Sequence, residues 1–239
     1  MANSPVQRVL AVGAHPDDCE LLCGGTLALF AARGASVAIC AVAHGDKGSR
    51  DLSADDLAAR RHAEATRAAA VIGAKFHCLG AVDGEFVASL ELRARIIETI
   101  RRVQPDLILT HWPDDYHADH RVTAELVADS SWFAASPGHV PGMPALPQPV
   151  PVFYMDTLAG LHFEPTEYVD ISPAWQRKEA MLRCHASQTG SSAQHGDPDL
   201  IVLSRDLARL RGHQCGVEFA EAFRPCPRWK RLRPWRMLP

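Results

Sequence analysis

Two stretches of the chain gather histidine and aspartate at the ends of apolar runs. The first, "VLAVGAHPDD" (9–18), closes on His15, Asp17 and Asp18; the second, "DLILTHWPDDYHADH" (106–120), closes on His111, His117, Asp119 and His120. Such groups are costly to desolvate, so a cluster of them persists where a metal, a partner or a substrate compensates. A catalytic zinc takes three ligands from histidine and carboxylate and keeps a further position for water. His15, Asp18 and His120 meet that composition. Asp17 is then left uncoordinated beside the metal, where a carboxylate acts as general base. The competing reading makes Asp17 and Asp18 helix caps for "CELLCGGTLALF". Capping accounts for one aspartate and not for the second cluster.

Holding the two clusters together calls for strands that end on one rim. Apolar runs of strand length alternate with longer amphipathic stretches, the pattern of βα units around a mainly parallel sheet. "RVLAVGAH", "SVAICAVA", "KFHCLG" and "DLILTH" read as strands; "GGTLALFAARG", "ADDLAARRHAEATRAAAVIG", "SLELRARIIETIRRVQ" and "ADHRVTAELVADSSWFAA" read as the helices between and after them. In such α/β sheets ligands bind outside the carboxyl ends of the strands, where both clusters fall. "SPGHVPGMPALPQPVP" (136–151) is a proline-rich surface loop. It is followed by strands in "VPVFYMD" and "EYVDIS" and by helices in "AWQRKEAMLRCHASQ" and "DLIVLSRDLARLRGH". The end, "PRWKRLRPWRMLP", reads as a charged surface terminus whose Trp rings lie on the body.

At 239 residues the chain can build one sizeable α/β domain, with a basic tail at about 225–239. A formal net charge of -3 gives no electrostatic ground for nucleic-acid binding. No apolar run approaches the roughly 20 residues that span a bilayer, and the start lacks a charged segment followed by a long apolar one. The expectation is a cytoplasmic protein. Its seven cysteines are odd in number and sit largely in apolar patterns, which speaks against a disulfide framework. Cys19 and Cys23 read as core residues, because no second close pair completes a zinc site.

"AHPDDCELLCGG" with "HADHR" resembles the PIG-L/LmbE-like family of zinc-dependent N-acetylglucosaminyl deacetylases, and "HGDKGSR", "KEAMLRCHASQ" and "GVEFAEAFR" resemble further family motifs in the same order. The resemblance covers most of the chain. It implies a Rossmann-like three-layer sandwich, zinc (with Fe2+ as the alternative ion) on His15, Asp18 and His120, and Asp17 as general base. By the same resemblance His117 stabilises the oxyanion and Asp119 orients a histidine. Where the family often has Thr-x-Gly-Glu this chain has Ala43-His44-Gly45-Asp46, so substrate contacts near Asp46 differ. Arg50 and His185 are the further candidate substrate contacts. The implied partner is a small N-acetyl sugar, alongside a homo-oligomer of the chain; the aglycone is framed by the proline-rich and "HGDKGSR" loops. Three rivals stand beside this reading. A noncatalytic metal-containing sugar-binding module would show no turnover. A non-haem iron oxygenase shares the ligand composition but usually builds on an antiparallel β-roll. A dinucleotide-binding domain would need G-x-G-x-x-G where the chain has "GAHPDD".

Overall fold

The computed structural model describes residues 6–192 and 199–239. The described residues form a seven-stranded sheet in the order β3-β2-β1-β4-β5-β7-β6. β1 (Arg8–Gly13), β2 (Ser36–Ala43), β3 (Lys75–Ala81), β4 (Leu107–Thr110) and β5 (Val152–Met155) are parallel. β7 (Ala220–Pro225) then pairs antiparallel with both β5 and β6 (Glu167–Asp170).

The apolar run of β1 is continuous because helices cover both sheet faces. Val9 and Ala11 enter one core with residues of α1 (Asp18–Ala32), α2 (Ala54–Ala70), α5 (Trp175–Leu182) and α7 (Leu200–Cys215). Leu10 and Val12 enter the other with α3 (Leu90–Val103) and α4 (Ala118–Phe133). Ser53 and Ser89 cap α2 and α3 by accepting the amides of Asp56 and Leu92. Among the described residues no helix is long and apolar enough to cross a membrane.

From β1 the chain moves to β2 and β3 on one side, then returns to β4 on the other. The carboxyl ends of β1 and β4 therefore flank the switch point of the sheet, the crevice where α/β folds bind ligands. Val12 stands beside Thr110 in the register. The loops carrying His15 and His111 to His120 thus emerge side by side.

Three details depart from the sequence reading. α1 starts at Asp18, ahead of Gly24, because Cys19, Leu21, Leu22 and Cys23 are all buried and extend the helix back to the first cluster. Within that helix a Cβ at Gly25 would fall 2.8 Å from the Ile171 side chain, so the glycine permits a close approach. The stretch 174–188 is two helices, α5 and α6 (Ala186–Ser192), since the amides of Cys184 and His185 turn back to Met181 and Leu182 and tighten the end of α5. The proline-rich loop does not frame the site. Residues 146–151 line a groove of about 780 Å³ with Arg8, Gln104 and Asp106, at the amino ends of β1 and β4.

Candidate active site

Asp17 sits between β1 and α1 with φ 149° and ψ −23°, a conformation that non-glycine residues avoid. Although it is the N-cap residue of α1, its side chain makes no capping bond. The helix-cap account of this aspartate is therefore not what the geometry shows. Its Oδ1 instead accepts from Arg61 Nη2 at 3.1 Å, and Arg61 also donates to the carbonyls of Pro16 and Gly45, both at 3.1 Å. Burial lifts the Asp17 carboxyl above its ordinary range; Arg61 pulls against this and the Asp18 charge adds to it.

Asp18 opens α1 and turns back on its own loop, its Oδ2 accepting the His15 amide at 2.7 Å. That oxygen is 3.0 Å from His111 Nε2, and Oδ1 is 3.4 Å from His120 Nε2. Burial opposes ionisation here, yet His120 and His111 hold the carboxyl well below the usual range. His15 Nε2 faces Asp119 Oδ2 at 3.2 Å and Asp83 Oδ1 at 3.1 Å, while its Nδ1 lies 3.5 Å from Asp18 Oδ2. His120 Nδ1 is 3.1 Å from Asp115 Oδ1, in contact but not aligned as a hydrogen bond.

In both histidines one nitrogen is backed by a carboxylate and the other is turned to Asp18. Metal-binding imidazoles are held in this way, the outer carboxylate fixing ring and tautomer. Four carboxylates, Asp18, Asp83, Asp115 and Asp119, lie within hydrogen-bonding or ion-pairing reach of these two rings. Burial disfavours charge on His15, but these acids outweigh it and push its pKa up to about 12. His120 rises against burial to about 9 for the same reason. The two rings thus carry positive charge among these carboxylates, where a bound cation would do the same. Among the described residues three sets have ligand atoms within 4.8 Å of one another: His15–Asp18–His120, His15–His117–Asp119 and His111–Asp115–His120. All three members line the 240 Å³ pocket only in the first set. That set fits a divalent ion with room for substrate beside it.

His117 ends the loop before α4, and its Nδ1 accepts the Asp119 amide at 3.2 Å. Burial, with the charges of His120 and His15, lowers its pKa, so near neutrality the ring is uncharged. With Nδ1 engaged as an acceptor, the single ring proton belongs on Nε2. Asp119 Oδ2 also accepts the Gly84 amide at 2.7 Å, tying the loop after β3 to His15.

The residues named for substrate binding lie apart from that lining. Asp46 braces the neighbouring loop, its Oδ1 accepting the Asp83 amide at 3.0 Å. Arg50 is exposed, whereas Gly48 of the same loop reaches the pocket. His185 is buried with Nε2 3.7 Å from Glu20 Oε1, and neither ring nitrogen is hydrogen-bonded. Gln188, one turn later, lines the pocket with Leu21, Leu22, Tyr116, Leu158 and Leu200. The sequence reading passed over Arg61, Asp83 and Asp115. Arg61 leaves a trace: it interrupts the stripe Leu57, Ala65, Ala68 on the buried face of α2.

A family model described as PIG-L: GlcNAc-PI de-N-acetylase matches residues 10–131. The chain belongs to the PIG-L family. Diacetylchitobiose deacetylase of Thermococcus kodakarensis is 30% identical over 93% of this chain and 84% of its own. Among solved PIG-L-like structures, N,N'-diacetylchitobiose deacetylase from Pyrococcus horikoshii superposes with a TM-score of 0.81, at 28% identity over 93% of this chain and 84% of that one. The 4-carboxy-2-hydroxymuconate hydratase of Pseudomonas putida also reaches 0.81, at 25% identity over 92% and 97%. The PIG-L frame is therefore shared by deacetylases and a hydratase.

Proposed function

We propose that this protein is a zinc-dependent hydrolase that removes the N-acetyl group from an N-acetylglucosaminyl small molecule or glycoconjugate. One observation carries the reading: a buried, strained Asp17 that caps nothing stands in the same pocket as His15, Asp18 and His120. A divalent ion held by those three residues, zinc foremost and Fe2+ the alternative, would supply an acidified water and a polarised amide carbonyl. Asp17 takes the proton of the attacking water, for which its raised pKa suits it. The protonated Asp17 carboxyl then delivers that proton to the departing nitrogen, so the C–N bond breaks to acetate and a free amine. The His117 Nε2–H donates to the developing oxyanion, an interaction worth on the order of 3 kcal/mol per donor. Asp119 and Asp115 keep His15 and His120 turned toward Asp18.

In this reading residues 1–239 are one deacetylase domain with a basic tail from about 225. Its partners are the N-acetyl sugar and further copies of the chain. Seven free cysteines suit a reducing, cytoplasmic setting. The test is a panel of N-acetylglucosaminides incubated with purified protein. Acetate and free amine should appear in equal amounts and cease on chelation. A folded, zinc-loaded protein that releases acetate from none of them contradicts the proposal and favours a sugar-binding module, and water addition without amine release favours hydratase chemistry.

A further inference from the structure

Lys178 and Glu221 lie outside the pocket lining, yet both side chains are buried, at 1% and 4% exposure. They meet at 2.7 Å between Nζ and Oε1, behind Leu21 and Leu22, two residues of α1 that form pocket wall. Glu221 Oε1 accepts the Gly25 amide at 2.9 Å and Oε2 the Thr26 amide at 2.7 Å. Lys178 Nζ donates to the Leu21 carbonyl at 2.7 Å, and Ser204 Oγ donates to the same oxygen at 2.9 Å. In a regular α-helix the Gly25 amide would bond the Leu21 carbonyl. Both groups also take partners from outside the helix, side chains of α5, α7 and β7.

We infer that Lys178 and Glu221 are positioning residues: they clamp α1 at Gly25 and so set where its first turn places Asp18, Leu21 and Leu22. The clamp lies seven residues, two helical turns, beyond Asp18. A buried ion pair is a poor source of stability compared with apolar packing of similar volume. What this one supplies is direction, two amides and a carbonyl fixed by charged partners on the element that carries a metal-ligand carboxylate. The inference rests on Asp18 as a metal ligand.

The experiment measures zinc affinity of folded protein by competition with a chromophoric chelator. Lys178→Met with Glu221→Leu removes both charges together, so neither is left buried alone. Arg211→Met with Asp156→Leu is the matched control, a buried ion pair at 2.6 Å that bonds no group of α1. The first double variant should bind zinc about 10- to 100-fold more weakly, the range for partners that orient ligands. The control should stay within about twofold of wild type while losing comparable thermal stability. Affinity unchanged in the first variant, or weakened equally in both, overturns the inference. Should the first variant not fold, Glu221→Gln keeps one acceptor and should weaken zinc binding several-fold; unchanged affinity there overturns it as well. Wild-type protein that binds no zinc would instead contradict the metal-site reading.

Discussion

Asp17 holds a backbone conformation that costs on the order of 1–3 kcal/mol, and it obtains no helix cap in exchange. Strain of this kind at a polar residue in a pocket points to placement of the side chain. Asp17→Asn keeps its shape but cannot take a proton at neutral pH, so turnover should fall roughly 10²–10⁴-fold with zinc retained. Asp18→Ala and His120→Ala should instead lose the ion, and activity with it, by elemental analysis. Near-normal turnover of Asp17→Asn at full zinc occupancy would remove Asp17 from the chemistry. The protonation of the site gives a second residue-scale outcome. His15 and His120, at about 12 and about 9, both carry protons at pH 7 in the metal-free protein. Zinc uptake should therefore release about two protons per ion, read by calorimetry in buffers of different ionisation enthalpy. These raised values also stabilise the metal-free fold. That contribution is complete below about pH 6.5, the unfolded value. It is lost as pH rises, through about 9 for His120 and about 12 for His15. The Tm of metal-free protein should decline from pH 6.5 to 9 more steeply in wild type than in His120→Gln. Release of no protons, or equal Tm slopes, would show that the histidines are neutral before the metal arrives.

The elements explain what the sequence displayed and what it hid. His15, Asp17 and Asp18 are contiguous, and His117, Asp119 and His120 share one short stretch, so their clustering was visible before any fold. Arg61 and Asp83 enter from α2 and from the loop after β3, and only folding brings them to His15 and Asp17. The alternation of strands and helices was readable through α4 because β1, β2 and β4 are apolar runs buried on both faces, while the edge strand β3 is only partly buried. β7 was not, because "AEAFRP" pairs antiparallel near the sheet edge and carries Glu221 and Arg224. Arg61 offers the element-scale test. Its charge lowers the Asp17 pKa, so Arg61→Met should raise it. A general base works only when deprotonated, and the acid limb of the kcat/KM profile should move to higher pH. An unmoved limb in a folded variant would mean that Arg61 does not act on the titrating group.

At the scale of the molecule, chemistry and bulk surface are separated by the sheet. The histidine–aspartate crevice occupies the carboxyl ends of β1 and β4, while the larger groove, with residues 146–151 of the proline-rich loop, lies at their amino ends. The 240 Å³ pocket, walled by Leu21, Leu22, Leu158 and Leu200, admits a compact substrate to the His15–Asp18–His120 set. Chelator-stripped protein should therefore be inert toward a cleaved N-acetylglucosaminide and regain its rate in proportion to added zinc. The decisive measurement is that titration, acetate release followed against zinc per chain. The account predicts no release at zero zinc and a plateau at one ion per chain; full turnover without metal, or a plateau that requires a second ion, would contradict it.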